Sequence, residues 1–177
     1  MFSPVAKLAS IHTILTLAAC HDWDVDTFNF NSAYLNSELG EEEEIYMQEP
    51  PGFEESTGSM KWLQKSLYRL KQARRWWYDT LMCTLNDLGL CVTQADLGVF
   101  HTQVEDDVLI LAVHVNDCVI TSSSSKLMHH YKQTLNTQYA LTDLGPIHWL
   151  LRIRVTQDRA ACTISLSQST YIKSIVT

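Results

Sequence analysis

The stretch "LILAVHVNDCVI", Leu109–Ile120, decides the fold. Two runs of apolar and β-branched residues flank a short polar break, His114-Val115-Asn116-Asp117, which is the pattern of a β-hairpin. Asn and Asp are ordinary turn residues, because their short side chains bond to the nearby backbone. An amide and a carboxylate at the tip of an apolar ribbon also fit the remains of a metal site, and the hairpin alone leaves both readings open. Upstream, Gly98–Gln103 adds a strand. Gly98–Gln103, Val108–His114 and Cys118–Thr121 therefore read as a β-meander. Asp106 and Asp107 fall at its opposite end, about 20 Å from the tip at 3.3 Å per residue, and read as turn residues.

Helical patterns lie on both sides of the meander. Residues 5–20 place Leu8, Ile11, Leu15 and Ala18 at helical spacing. The same stretch ends Leu17-Ala18-Ala19-Cys20 and mimics a lipoprotein signal, but His12 interrupts its apolar segment, so an amphipathic core helix is the better reading. From Arg75 to Leu88, Trp77, Leu81, Leu85 and Leu88 share one face, with Gly89 as the stop. Ser124 or Ser125 can cap a helix running to about Gln138, with Leu127, Tyr131 and Leu135 inward. "DLGP" (143–146) reads as a turn, and Ile147–Thr156 with Cys162–Leu166 as a hairpin across "QDRA". Ser167 can cap a last helix through Tyr171 and Ile175. Mixed helices and antiparallel strands predict an α+β fold.

Composition narrows the function classes. The chain has 177 residues, 46% of them apolar, enough for a folded domain with a real core. A net charge of −7 argues against a free-standing nucleic-acid-binding module, since phosphate contacts need local positive charge. Yet six of the thirteen Lys and Arg residues lie between Lys61 and Arg75. Trp62, Tyr68, Trp76, Trp77 and Tyr78 accompany them, an interleaving that suits backbone phosphates and stacked bases. A solvated helix start with aromatics turned to the core also accounts for it, and the spacing of Trp77 favours core. Glu41–Glu44 reads as a solvated acidic loop, and "EPPGFEESTG" (49–58) as a further loop.

The five cysteines are scattered and form no C-x-x-C, which predicts free thiols in an intracellular, non-secreted protein of the cytoplasm or nucleus. No apolar run approaches the roughly 20 residues of a membrane span. Cys20-His21-Asp22 is a poor metal candidate, because adjacent residues do not converge on one tetrahedral ion.

Seven blocks then give the chain a family likeness: "FSPVAKLASI" (2–11), "SAYLNSEL" (32–39), "EEIYMQEPPGF" (43–53), "KSLYRLKQARRWWY" (65–78), "HVND" (114–117), "DLG" (143–145) and "ISLSQSTYI" (164–172). In this order they resemble the reverse transcriptase of copia-type LTR retrotransposons over nearly the whole chain, 1–177. The resemblance implies the fingers and palm of an RNA-directed DNA polymerase, an antiparallel sheet packed on helices. Residues 5–90 would carry the first catalytic strand, the basic-aromatic segment and the long helix. Residues 98–177 would carry the palm hairpin with the helices and second hairpin C-terminal to it. The partners implied are an RNA or DNA template-primer and a deoxynucleoside triphosphate. The cofactor implied is Mg²⁺ or Mn²⁺, used as a pair roughly 3.5–4 Å apart that clamps the attacking and leaving oxygens.

Such a pair needs hard, charged oxygen ligands. The family supplies one Asp on a strand and an Asp pair in "YVDD" at a hairpin tip. Here the first position falls on Asn29, in "WDVDTFNFNSAYL" (23–35), and the pair on Asn116 and Asp117. Only Asp117 remains as a metal-binding carboxylate. Asp24 and Asp26 alternate onto the opposite face of the strand from Asn29, and His114, where the family has Tyr, lacks a second ligand at defined spacing.

The resemblance puts Tyr34 at the gate that tests the sugar 2′ position, and Arg69, Lys71 and Arg75 near the incoming nucleotide and template. Arg69 and Arg74 stand where the family has the Gly and Pro of "LYGLKQAPR", and Arg152 stands for the Gly of "LGI". The expectation is a catalytically degenerate fragment with weak or lost metal and nucleic-acid binding, truncated at both ends and lacking the other Pol regions. The rivals are an active polymerase subdomain that needs missing regions, and a non-catalytic nucleic-acid-binding remnant.

Overall fold

A computed structural model describes residues 3–39, 44–53 and 60–176. Glu41–Glu43 of the acidic run and residues 54–58 of the expected loop lie outside these. The chain divides into two compact units, Met1–Ser3 with Ser32–Cys83, and Pro4–Asn31 with Thr84–Thr177. The strand Asp24–Phe30, which the resemblance expects to carry the first catalytic position, pairs with Asp117–Ser122 of the meander.

The larger unit is built on a six-stranded antiparallel sheet. Its strands are β1 (Asp24–Phe30), β4 (Cys91–Val92), β5 (Val99–Val104), β6 (Asp107–His114), β7 (Asp117–Ser122) and β8 (Leu141–Pro146), in the order β4-β5-β6-β7-β1-β8. The smaller unit contributes β2 (Tyr46–Gln48) and β3 (Met60–Trp62). One face of the large sheet packs on α1 (Leu8–His21), whose Ile11, Ile14, Leu15 and Ala18 meet Val25, Val99, Ala112 and Val119. Ile11, Leu15 and Ala18 of the expected stripe are therefore inside, joined by Ile14, while Leu8 at the helix start is exposed.

The other face carries Phe28, Phe30, Phe100, Leu109, Leu111 and Ile120, all fully buried, beneath α3 (Ser125–Gln138). The Ser124 side chain caps α3 through Leu127 N. Met128, Tyr131 and Leu135 are its buried apolar residues, while Leu127 is only partly buried.

Two tertiary devices set α1 in place. The N-terminal segment bonds to the meander through Ala6 N and Val113 O at 2.8 Å, and Val113 N bonds to Gly98 O at 2.8 Å. Asp96 then accepts from Lys7 N at 2.7 Å and Ser10 Oγ at 2.5 Å with one oxygen, and from Gly98 N at 3.0 Å with the other. A loop carboxylate thus satisfies the helix start, where a side chain at the N-cap itself would ordinarily do so. Burial alone would raise the Asp96 pKa, but the bonds from Ser10, Lys7 and Gly98 outweigh it and hold the carboxyl below its ordinary value.

Two local expectations are corrected. "DLGP" is not a free turn but the end of β8, paired with β1. The pairing shifts between Thr27 and Phe28, which leaves Leu144 as the extra residue of a bulge. Gly145 takes φ 68 there and its N–H bonds to Asp143 Oδ1 at 2.9 Å, so the turn-like residues serve the bulge. The expected strand Ile147–Thr156 is broken at Leu151 and Arg152, both at positive φ. It forms β9 (Trp149–Leu150) and β10 (Ile153–Asp158), and β10 continues into β11 (Thr163–Ser167) as a three-stranded sheet. The last helix, α4 (Ser169–Val176), comes next, with Ser167 Oγ accepting from Ser169 N at 3.4 Å.

The smaller unit holds a 3-10 turn (Ala33–Asn36), the two-stranded β2–β3 ribbon and most of α2 (Ala73–Asp87). The ribbon continues through Leu63 N to Ile45 O at 2.8 Å and Ser66 N to Ser37 O at 3.0 Å. Trp77, Leu81 and Leu85 of α2 are buried as their spacing predicts, and Gly89 lies just past the helix end at φ 83. Among the described residues no helix is long and apolar enough to cross a membrane.

Candidate active site

The hairpin β6–β7 closes through a two-residue turn, since His114 pairs with Asp117. Val115 in that turn takes φ 64, a left-handed conformation that a β-branched residue occupies only under constraint. Such strain costs roughly 1–3 kcal/mol and persists when the surroundings over-determine it. Here the constraint is β1: Phe30 N donates to Asn116 O at 3.0 Å, so the turn is locked to the neighbouring strand.

The register sets the candidate residues side by side. Asn29 on β1 lies directly opposite Asp117 on β7, Asp117 lies opposite His114 on β6, and Asn29 lies opposite Thr142 on β8. Directly opposed residues share a face, so Thr142, Asn29, Asp117 and His114 form one row across four strands. It lies on the α1 side of the sheet, where the N-terminal segment also reaches His114: its Nδ1 is 3.5 Å from Ala6 O. Asn116 sits at the tip beside the row, and residues 114–117 are all partly exposed. The structure thus brings together Asn29, Asn116 and Asp117, which lie far apart in sequence. Cys118, next along β7, points to the opposite face, and burial first, then the Asp117 charge, pushes its thiol pKa well up.

These residues do not fit a paired-metal site. The row contains one carboxylate, and two neutral amides occupy the other expected positions. Each missing unit charge removes about 4 kcal/mol of attraction per cation charge at 4 Å and an effective dielectric of 20. Neighbouring acids are committed elsewhere. Asp24 pairs with Arg159 and accepts from Ser125 Oγ. Asp26 lies on the α3 side, bonded to Lys132 Nζ at 2.7 Å. Among the described residues no group of three His, Cys, Asp or Glu side chains is arranged to hold a metal ion. Cys20-His21-Asp22 does not form one either: His21 stacks on Trp23 and Asp22 pairs with Arg159 at 2.7 Å.

The smaller unit carries the other candidates. Tyr34 is buried in the 3-10 turn with its ring edge-on to Tyr68, centroids 4.7 Å apart. Lys61, Lys65, Arg69, Lys71, Arg74 and Arg75 are all exposed, together with Trp62 and Tyr68. Among the described residues Lys61 pairs with Glu49 at 3.0 Å and Arg75 with Asp79 at 2.8 Å, which lowers the local positive charge. Arg69 takes φ 77, so the position where the resemblance expects glycine does demand a glycine-like backbone. Arg152 takes φ 66 and repeats the pattern in the larger unit.

Sequence reasoning missed one cluster. Lys132 is buried in α3 between Asp26 and Asp143, with Nζ 2.7 and 2.6 Å from their oxygens. The available signal was a lysine on the inward stripe of α3, four residues after Met128, with the DLG aspartate as an unrecognised partner.

An antiparallel sheet that sets a strand position opposite the tip of a tight hairpin, with helices on both faces, is a mixed α/β arrangement that accords with a reverse transcriptase domain. The sequence profile of the reverse transcriptase (RNA-dependent DNA polymerase) family matches residues 1–177, and the chain belongs to that family. It is 35% identical to the retrovirus-related Pol polyprotein from transposon TNT 1-94 of Nicotiana tabacum, over 99% of this chain and 13% of that protein. It is 31% identical to the corresponding polyprotein from transposon RE1 of Arabidopsis thaliana, over 99% of this chain and 12% of that protein. The chain therefore spans about an eighth of the length of these relatives. No solved structure matches it significantly.

Proposed function

We propose that this chain is a fingers-and-palm piece of a copia-type Pol polyprotein whose polymerase site has degenerated. The observation that carries the reading is the row itself: Asn29 faces Asp117 in register, Asn116 is held at the adjoining tip, and Asp117 is the only carboxylate among the three. Arginine at two positive-φ positions, Arg69 and Arg152, supports decay, because both keep a backbone that glycine accommodates without strain. The piece acts inside the cell, in keeping with its free cysteines.

The test compares the chain with the Asn29→Asp, Asn116→Asp double variant. Calorimetry with Mn²⁺ should find binding at least about a hundredfold tighter in the variant, since two carboxylates are restored to one small site. Primer extension should stay at background for the unmodified chain. Extension by the unmodified chain that Asp117→Asn abolishes would overturn the reading and favour an active subdomain.

Exposed Trp62 and Tyr68 among cations favour a second reading, a nucleic-acid-binding remnant. It predicts single-strand binding that weakens steeply with salt and falls roughly tenfold on Lys71→Gln, Arg75→Gln. Binding insensitive to both salt and these substitutions would discard it.

A further inference from the structure

A cleft of about 410 Å³ lies between α1 and β11, on the larger unit and away from the candidate row. Its lining includes His12, Thr16 and Cys20 from one side of α1, and Cys162, Thr163 and Leu166 from the hairpin. Both cysteines are exposed free thiols. We propose that Cys20 and Cys162 form a dithiol pair that closes to a disulfide under oxidising conditions, stapling α1 to the β10–β11 hairpin.

A disulfide needs Cα atoms within about 7 Å and side chains that face one another. Three contacts made two to five residues from the cysteines tie the segment after α1 to the β10–β11 hairpin. Arg159 Nη1 donates to Asp22 Oδ1 at 2.7 Å and to Asp22 O at 3.1 Å, and Gln157 Nε2 donates to Trp23 O at 3.2 Å. Arg159 O in turn accepts from Cys162 N at 3.2 Å and lies 3.7 Å from Cys162 Sγ, so the clamp also fixes the second cysteine. Cys162 takes φ 50, a conformation set by the hairpin turn rather than by its own preference. Of the remaining thiols, Cys118 is buried, Cys83 lies on α2 and Cys91 on β4.

The oxidant is a small-molecule disulfide. A thiolate of the pair attacks one of its sulfurs, the S–S bond breaks and one small thiol leaves with the electron pair. The second thiolate attacks the resulting mixed disulfide and releases the other small thiol. The protein loses two electrons and two protons, and the small disulfide gains them.

The full chain is equilibrated in buffers of rising oxidised-to-reduced glutathione ratio, quenched, alkylated, digested and mapped by mass spectrometry without reduction. The expected product is a Cys20–Cys162 cross-linked peptide, with Cys83 and Cys91 alkylated. The oxidised chain should melt about 5–10 °C higher than the reduced one, because the link constrains a long loop in the unfolded chain. The Arg159→Met variant should lower the pair's equilibrium constant about two- to fivefold, the range of an exposed ion pair. Glutathione adducts on Cys20 and Cys162 singly, without the cross-link, would overturn the proposal, as would linkage of either to Cys83 or Cys91.

Discussion

Lys132→Met is expected to destabilise the larger unit by about 3 kcal/mol, the lower end of the range for breaking a buried ion pair from one side. The mutation leaves Asp26 as an unpartnered carboxylate in the core beneath α3, where it is 7% exposed. Asp143 adds less, because its side chain is 49% exposed and water can take over. A domain of this size should then melt roughly 6–12 °C lower. Adding Asp26→Leu should recover most of the loss, since removing the stranded charge also removes its desolvation cost. Thermal unfolding of the single and double variants measures this, and an additive double loss would show that the cluster does not act as a unit.

The same cluster sets a pH dependence. Burial alone would lower the Lys132 pKa, but its bonds to Asp143 and Asp26 prevail and the pKa is raised. Its contribution is therefore complete below the unfolded lysine value, about 10.4, and is lost as pH rises through the folded one. For Asp143 burial opposes the charged form, and the bonds from Lys132 and Gly145 outweigh it, so its pKa is lowered. That contribution is complete above the unfolded value, about 3.9, and is lost as pH falls through the folded one. Stability should be flat between these limits and decline beyond both. The Lys132→Met variant should lose the basic-side decline from this cluster and keep a smaller acid-side one, since the Gly145 N–H still bonds Asp143.

Gly98→Ala should be about as damaging, near 3 kcal/mol or more. A Cβ at this position would fall inside van der Waals contact of Ala6 N and the Val5 carbonyl carbon, and 2.7 Å from Ala6 Cα. These are backbone atoms, fixed by the Ala6–Val113 bond and the Asp96 cap, so no side-chain rotation relieves the clash. The N-terminal segment must move off the meander, which also unseats α1 from its cluster. Denaturant unfolding and amide exchange of residues 6–18 report it. Wild-type protection there in the variant would show that the close approach is not essential.

Much of the architecture was legible in the residues. The meander, β1, α2 and α3 follow from alternation, helical spacing and end signals, because each element buries one face and its sequence must show that face. Partner choice could not be read. "DLGP" has turn chemistry whether it makes a free turn or a bulged edge strand, and only the open edge of β1 decides between them. The break at Leu151–Arg152 was hidden because neither residue advertises a positive φ. Leu8 and Leu127 fit their helical stripes yet lie outside the buried set, since the orientation of a helix depends on what covers it.

The candidate site divides in the same way. By itself the sequence determined which residue types are present: amides at 29 and 116, a carboxylate at 117, and an ordered set of motifs that marks the family. Those are covalent facts, and the missing charges follow from them in any fold. Only the tertiary structure decided that Asn29 and Asp117 stand opposite each other, that Asp26 finds its partner in Lys132, and that Arg69 and Arg152 occupy backbone conformations suited to glycine. The physical reason is that strand register and buried charge pairing are set by contacts between residues distant in sequence, which no local pattern records.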